Sequence, residues 1–386
     1  MQLDLHRVRT YQCPAHSDEQ ATMMTISDCL TRENNFNLLR MIAATGVLVS
    51  HAFPLSLGGN ALEPFEVALK GENLGRACVF VFFAISGFFI TSSYSNHPNA
   101  LSFLTARALR ILPGLFVMLL ATVALAALVK VGVDSSTFWS AVPGYLLSQA
   151  TMGMGALLGV APSVGSLPGV FVQNPLENAI NGSLWSLPLE VICYAGVLSC
   201  GLLGILRRSK LFGAIVIVCT AGYIVRLVAL DQGLKLPFLP QILVYVGFPF
   251  VIGMAFFVWS DRVILSKWIA LGLVAFAGLA WPTPAFLLAF VVALSYGAFL
   301  FGFANLPILA RYNKLGDYSY GVYIYAFPIQ QAVAMAGIEE PLINILVATP
   351  LVFACGIFSW HVVEKPFLKL KTARRGLSIS SPPSAT

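Results

Sequence analysis

Two ionisable side chains, Arg40 and His51, lie in the first apolar stretch of the chain. At about 100° per residue, their separation of eleven residues brings them to within roughly 20° of the same helical face, about 16 Å apart along the axis. Ionisable groups at membrane depth are costly, so they usually face a protein interior or a water-filled cavity. The pair therefore predicts a functional site between membrane helices, in which the imidazole handles a proton.

Glu190 is the carboxylate that we expect to lie beside His51. If the first membrane helix rises from the cytoplasm and the fourth enters from outside, both side chains lie at a similar depth, with Glu190 about 9 Å below the outer helix end. A carboxylate next to an imidazole raises its basicity and fixes its tautomer, which suits a general base that takes a proton from a hydroxyl. The structural alternatives are a helix–helix hydrogen bond for His51 or Glu190 and a contact of Arg40 with lipid phosphate.

Four further residues on two helices are candidates. Ser86 and Gly87 fall near the middle of the second predicted span, where small residues either permit close helix packing or form a tunnel wall that presents a hydroxyl to substrate. Arg107 and Arg110 lie three residues apart on one face at the start of the third span. They are either topology determinants or ligands of a phosphorylated molecule at that surface.

Aromatic and acidic residues follow in the last two predicted spans. Tyr320 and Tyr323 share a face near the cytoplasmic interface, where they belong either to an aromatic belt or to a binding site. Glu364 ends the last span, and we interpret it as the partner of a neighbouring base. No metal site is predicted, because ligand spacing is absent among the five histidines, which are His6, His16, His51, His97 and His361.

The elements that carry these residues must be membrane helices. Of the 386 residues, 58% are hydrophobic and 10% are charged, whereas soluble domains carry about 25% charged residues. The sequence therefore predicts an all-α, polytopic membrane protein. The net charge of +6 does not indicate nucleic-acid binding, because the basic residues are scattered over short loops. The seven cysteines form no CxxC motif, and those in apolar runs are interpreted as buried hydrophobic thiols.

Apolar runs near the length needed to cross a bilayer predict about ten membrane spans. With both termini cytoplasmic, most of the 23 basic residues fall on the cytoplasmic side, as the positive-inside rule requires. Residues 1–33 lack the apolar core of a signal peptide, so the first span is expected to direct insertion. The predicted spans are 35–54, 77–95, 109–130, 184–206, 211–230, 239–259, 266–281, 284–303, 318–337 and 341–362.

Three segments are predicted along the chain. Residues 1–34 form a cytoplasmic N-terminal segment, 35–367 a transmembrane domain, and 368–386 a cytoplasmic tail that is first basic and then disordered. Within the domain, residues 136–183 are expected to form a long outer loop with an interfacial or re-entrant piece. A single further crossing there would reverse the charge rule for the helices that follow.

Motifs between residues 35 and 367 resemble those of the membrane-bound acyltransferase 3 family, and their order and spacing cover essentially this whole region. The most specific are the Arg-x10-His pair and the Ser-Leu-Trp-Ser-Leu-Pro-Leu-Glu run. The matching text is NFNLLR at 35–40 followed by His51, FFAISGFFI at 82–90, RALRILP at 107–113, GSLWSLPLEV at 182–191, GDYSYGVYIYAFPI at 316–329 and HVVEKPF at 361–367.

The resemblance implies about ten helices and transfer of acyl groups, most often acetyl, from cytoplasmic acyl-CoA to sugar hydroxyls of cell-surface glycans. His51 then corresponds to the essential histidine of the family and Arg40 to its essential arginine. Glu190 matches the acidic residue of the Trp-Ser-Leu-x-x-Glu motif, and Arg110 matches the arginine before proline in the third helix. Many relatives have a second histidine where this chain has Ala326, so no mechanism that needs that histidine is expected here.

These features lead us to expect a multi-pass O-acyltransferase in a bacterial inner (cytoplasmic) membrane. The expected donor is acyl-CoA, with acetyl-CoA as the family precedent, and the expected acceptor is a polysaccharide or lipid-linked oligosaccharide. No permanently bound cofactor and no nucleic acid are expected. The alternatives are a transmembrane acyl-donor channel or transporter that serves a separate transferase, and a lipid-alcohol acyltransferase. The residue roles are catalysis by His51, Glu190 and Arg40, donor binding by Arg40, Arg107, Arg110, Tyr320 and Tyr323, and a substrate tunnel lined by Ser86, Gly87 and Trp185.

Overall fold

Helices dominate the structure, as the apolar composition predicts. The structure is a computed structural model, and it describes residues 24–30, 34–158, 165–306, 309 and 311–370. In this part of the chain the one sheet is a short antiparallel pairing of β1 (Met24–Thr25) with β2 (Ile264–Leu265). The prediction of an all-α membrane protein is confirmed.

Most of the helices follow each other with short connections, the longer ones being 58–73 and the chain before Gly182. The last of them continues beyond Phe358 as a π-helical turn (Ser359–Glu364) and then as further helix to Leu370. The α-helices are α1 (Ile26–Cys29), α2 (Phe36–Leu57), α3 (Leu74–Asn96), α4 (Ala100–Val129), α5 (Ser135–Ala150), α6 (Met154–Leu157), α7 (Ser186–Leu202), α8 (Ser209–Asp231), α9 (Phe238–Val258), α10 (Lys267–Ala280), α11 (Ala285–Gly302), α12 (Ser319–Met335) and α13 (Pro341–Phe358), with 3₁₀ turns at Gly182–Trp185, Ile205–Arg207 and Arg311–Lys314.

Each of the ten predicted spans coincides with a helix. Within the described residues, eight helical segments are long and apolar enough to cross a membrane. The remaining two spans correspond to α10 and α12, which have 14 and 17 residues. The direction of insertion stays a prediction, and so does the three-segment division, because residues 1–23, 31–33 and 371–386 lie outside the described part.

Side chains at the ends of several helices satisfy backbone groups that the helix itself leaves unpaired. The Asn73 side chain accepts a hydrogen bond from the Arg76 amide at the start of α3, and Asn99 accepts one from Ser102 at the start of α4. Asp134 does the same for Thr137 at the start of α5. Such caps define where a helix begins, and each contributes about 1 kcal/mol. Local sequence therefore sets these helix boundaries.

The central helix of the bundle is α3, of whose apolar window 78% is buried. It packs tightly against α9 because each helix offers a glycine at the crossing. A Cβ on Gly87 would collide with the Phe250 backbone, and one on Gly253 would collide with the Ala84 backbone. Small residues allow membrane helices to approach this closely. Gly87 therefore serves helix packing and not a tunnel wall, which corrects its predicted placement.

The segment expected to form a long outer loop is partly helical, since it contains most of α5 and all of α6, and residues 159–164 lie outside the described part. Its later portion is bonded to α12. Asn174 Nδ2 donates to Gln331 Oε1 at 2.6 Å, and Gln331 Nε2 donates to the carbonyl oxygens of Leu176 and Ala179 at 2.9 and 2.6 Å. These buried and partly buried bonds hold the chain that leads into α7 against the bundle.

Candidate functional site

A cavity of about 490 Å³ lies among α2, α3, α4, α7, α12 and the end of the last helix. We call it the basic cavity. Its apolar wall includes Val79, Phe82 and Leu187. Its charged lining consists of the cations Arg40, Arg107, Arg110, Lys365 and Lys369 and the carboxylates Glu190 and Asp317. Positive charge thus exceeds negative charge around an otherwise apolar space.

Arg110 is the centre of an ion network at this cavity. Its Nη1 donates to Glu364 Oε2 at 2.7 Å, and its Nη2 donates to Asp317 Oδ2 at 2.8 Å. Arg40 Nη1 lies 3.6 Å from the same oxygen of Asp317. All four side chains are largely buried, so the network compensates charges that would otherwise be costly to bury. The expected pairing of Glu364 with a base is therefore observed.

Asp317 precedes α12 and stays ionised because of these arginines. Burial favours the neutral acid, but the Arg110 and Arg40 guanidinium groups and a 2.5 Å hydrogen bond from Ser319 outweigh it and lower the pKa of Asp317 to about 2. The carboxylate is therefore charged at any physiological pH, and the network that it anchors does not titrate there.

Arg107 differs from Arg110 although both lie on one helical face. Its guanidinium stacks over the rings of Phe103 and Tyr194, at 6.0 and 5.9 Å. Its Nε is buried without a hydrogen-bond partner, and no ion pair of Arg107 occurs among the described residues. A guanidinium with unused donors beside a cavity is suited to binding an anion.

Glu190 lines the basic cavity and is held there by two hydroxyls. Ser86 Oγ donates to Glu190 Oε1 at 3.0 Å, and the Tyr194 hydroxyl donates to the same oxygen at 2.5 Å. No hydrogen bond joins Glu190 to His51, which does not line this cavity. The predicted contact between them is thus not made, because Glu190 lies at the level of Arg40 and Ser86 and not at that of His51.

His51 lies farther along α2, half-buried, with its Nδ1 buried and without a hydrogen-bond partner. Its ring meets the Phe327 ring edge-on, with the centroids 5.3 Å apart. Phe327 also packs against Gly182, where any Cβ would strike the phenyl ring. Phe327 follows Tyr323, which lines the basic cavity, by one helical turn. The imidazole is therefore covered by a phenyl ring just beyond that cavity.

The two predicted tyrosines line the basic cavity with their hydroxyls already in use. Tyr320 donates to the Ile111 carbonyl at 2.8 Å, and its ring lies under the Arg110 guanidinium. Tyr323 donates to the Ser183 carbonyl at 2.8 Å and is hydrogen-bonded to Ser186 at the same distance. These bonds hold α12 against α4 and α7. Because the hydroxyls are occupied, a ligand in the cavity would contact the rings of the two tyrosines.

The structure brings together most of the predicted site and adds residues that the sequence reasoning missed. Trp185 does not line the basic cavity; it faces a second cavity on the other side of α7. The residues missed are Asp317, Lys365, Tyr194 and Ser186. One signal could have found two of them: Ser186, Glu190 and Tyr194 recur every four residues, which is a polar stripe on one face of an apolar helix.

Comparisons with known proteins identify the family of the chain. A family model described as an acyltransferase domain (Acyl_transf_3) matches residues 33–361. The chain is 28% identical over 360 residues to an O-acetyl transferase of Shigella phage Sf6, covering 90% of this chain and 99% of the relative. It is 30% identical over 383 residues to Nodulation protein 10 of Rhizobium leguminosarum bv. viciae, covering 90% and 97%. No solved structure matches the chain.

Proposed function

Because the chain belongs to the acyltransferase 3 family and is an O-acyltransferase, we propose that it moves an acetyl group from cytoplasmic acetyl-CoA to a hydroxyl of a cell-surface glycan in the bacterial inner membrane. The observation that supports this most is the basic cavity, in which a cluster of cations adjoins an apolar space. An acyl-CoA has the matching form, with phosphates at one end and an uncharged thioester arm at the other.

The cations of the basic cavity differ in what they offer a phosphate. Arg110 is occupied by two carboxylates and Arg40 faces Asp317, so both mainly shape the cavity. Arg107 has an unused buried donor and Lys365 lies at the same lining. Guanidinium groups bind phosphate through two parallel hydrogen bonds. Arg107 is therefore the main ligand for the donor phosphates in this proposal.

Acyl transfer to a hydroxyl needs a base, and His51 is placed for that role. Its imidazole takes the proton of the acceptor hydroxyl while the hydroxyl oxygen bonds to the thioester carbonyl carbon. The bond between that carbon and sulfur then breaks, and the CoA thiolate takes up the proton. General base catalysis of this kind contributes about 10²- to 10⁴-fold. The thioester must pass Tyr323 and displace the Phe327 ring to reach the imidazole.

Glu190 acts as a positioning residue in this scheme. It does not touch His51, but it accepts hydrogen bonds from Ser86 and Tyr194 and interacts electrostatically with Arg40 and Arg107. A negative charge between two buried arginines limits their mutual repulsion and fixes the rotamers around the cavity. Its replacement should therefore weaken donor binding more than it slows the proton transfer.

The test uses the purified protein in lipid nanodiscs and measures transfer of radiolabelled acetyl from acetyl-CoA to oligosaccharides. The oligosaccharides are released from the surface polysaccharide of the bacterium that produces the protein. The wild-type protein should label the oligosaccharide, and His51→Ala should lower kcat at least about 100-fold. His361→Ala is the matched control, because that histidine is exposed and does not line the cavity.

Two outcomes would contradict the proposal. Unchanged transfer by His51→Ala would remove the imidazole from the mechanism. Acetyl-CoA binding by the wild-type protein with no transfer until a second protein is added would support the donor-channel alternative.

A further inference from the structure

The short segment 181–190 separates two cavities. On one side, Ser186, Leu187 and Glu190 line the basic cavity. On the other side, Trp185, Pro188 and neighbouring residues line a second space of about 330 Å³, which falls within the range of small-molecule sites. Residues of this segment face one cavity or the other with the helical period, so the motif that contains Glu190 forms a wall between the two cavities.

The second cavity has a lining of opposite chemistry, and we call it the neutral cavity. No charged residue occurs among its described lining residues. Its polar side chains are the carboxamides of Gln149 and Asn181, and its aromatic rings are those of Trp185 and Phe238. Without a cation it cannot compensate the phosphates of an acyl-CoA. Amide groups, which both donate and accept hydrogen bonds, match the hydroxyls of an uncharged polyol.

Asn181 is held by hydrogen bonds at this space, and Trp185 is an exposed part of its lining. Asn181 Nδ2 donates to the Ile324 carbonyl at 2.9 Å and to Met118 Sδ at 3.5 Å. Its Oδ1 accepts from the Ser183 amide at 3.1 Å, which leaves a second lone pair on that oxygen as an acceptor for a ligand. Trp185 is 38% exposed. An accessible indole face beside fixed hydrogen-bonding groups can stack on the apolar face of a sugar ring.

The neutral cavity adjoins the candidate base. Gly182 lines it and lies against the Phe327 ring, which also meets the His51 imidazole edge-on. The Phe327 ring therefore links the wall of this cavity at Gly182 to the imidazole. The chain around the cavity comes from the end of α5, from residues that precede α7 and from the start of α9, which the charge distribution predicts to lie outside.

We propose that the neutral cavity binds an uncharged sugar unit of the acceptor glycan, with the indole of Trp185 stacked on its ring and its reactive hydroxyl directed past Gly182 toward His51. This inference rests on the proposed function and adds the acceptor site to it. A lipid chain would not need the two carboxamides, and a CoA phosphate would need cations.

The experiment compares Trp185→Ala with Trp139→Ala, which removes an exposed indole on α5 that lines neither cavity. With oligosaccharides released from the host surface polysaccharide as acceptor, Trp185→Ala should raise the oligosaccharide KM about tenfold or more. The KM for acetyl-CoA should stay within about twofold. Trp185→Phe should recover most of the loss, and Trp139→Ala should behave as the wild type. Gln149→Ala should likewise raise the oligosaccharide KM and leave the acetyl-CoA KM unchanged. It serves as the second variant if Trp185→Ala does not fold.

A binding measurement separates this inference from the proposed function. Addition of the oligosaccharide should change the tryptophan fluorescence of the wild type but not that of Trp185→Phe. Binding without acetyl transfer would retain the acceptor site and reject the proposed function. An unchanged oligosaccharide KM in both Trp185→Ala and Gln149→Ala would overturn the acceptor site while leaving the function. A fluorescence response to dodecanol and none to the oligosaccharide would make a lipid the occupant and would also overturn it.

Discussion

Two arginines of one helix, three residues apart, have different surroundings and therefore different roles. Arg110 is bonded to Asp317 and Glu364, whereas Arg107 is buried against aromatic rings with an unused Nε. The spacing in the sequence shows that they share a face, but it does not show which one has carboxylate partners. Those partners lie more than 200 residues away in the chain.

Replacement of these arginines should give distinct defects. Arg107→Ala should raise the KM for acetyl-CoA about tenfold or more, because a charge-assisted hydrogen bond to phosphate contributes about 1.5–3 kcal/mol. Arg110→Ala should lower the free energy of unfolding by about 3–5 kcal/mol, because it leaves buried carboxylates without a cation. Steady-state kinetics and thermal unfolding in detergent measure the two effects. Equal changes of KM and stability in both variants would contradict the distinction.

Ionisation of Asp317 should make the stability of the protein fall at acidic pH. Its pKa is lowered from near 3.8 to about 2, so its stabilising effect is fully present above pH 4 and is lost as the pH falls toward 2. The shift corresponds to about 2 kcal/mol. Asp317→Asn should be less stable than the wild type at pH 7, and the gap should close between pH 4 and 2. Thermal unfolding of both proteins across this pH range provides the measurement. A stability difference that does not change with pH would refute the prediction.

At the scale of helices, the crossing of α3 with α9 depends on residues that have no side chain. The sequence interpretation allowed Gly87 to be either a packing residue or a tunnel residue, and only the position of Phe250 decides between them. Each of the ten spans predicted from hydropathy coincides with a helix, because the length of an apolar run is a local property. Hydropathy could not locate the crossing, because that depends on two segments far apart in the chain.

Gly87→Ala should destabilise the bundle, because the added methyl group meets the Phe250 backbone, which cannot move aside as a flexible side chain can. A loss of about 1–3 kcal/mol is expected for such overpacking. Gly196→Ala on α7 is the control, since nothing lies within 4 Å of its added Cβ, and it should stabilise by up to about 1 kcal/mol through helix propensity. Thermal unfolding of the two variants should shift in opposite directions. A shift in the same direction would show that the crossing is looser than described.

For the whole molecule, the two cavities give the predicted orientation a functional meaning. The basic cavity contains Lys365 and Lys369 and lies toward the predicted cytoplasmic side, whereas the neutral cavity lies toward the predicted outer side. The donor and the acceptor would then enter from opposite faces. His51 could be predicted as a candidate from its residue type and depth, but the covering ring of Phe327 could not.

The orientation can be tested with cysteines at two exposed positions near opposite ends of α8. Lys235→Cys, between α8 and α9, should react with a membrane-impermeant maleimide in intact spheroplasts, whereas Lys210→Cys should react only after lysis. The unsubstituted protein gives the background from native thiols. Reversal of this pattern would place the basic cavity outside, where cytoplasmic acyl-CoA could not reach it.

The ion pair between Arg110 and Glu364 also bears on how the protein is made. The two residues are 254 positions apart, so at about 5–20 residues per second the ribosome completes Glu364 roughly 10–50 s after Arg110. During that interval the newly inserted third span carries a guanidinium that lacks its later partner. A nascent chain that stops short of the final helix would contain Asp317 but not Glu364, so Arg40 and Arg110 would share a single carboxylate. The resulting excess positive charge among apolar segments would distinguish an incomplete chain from a finished one.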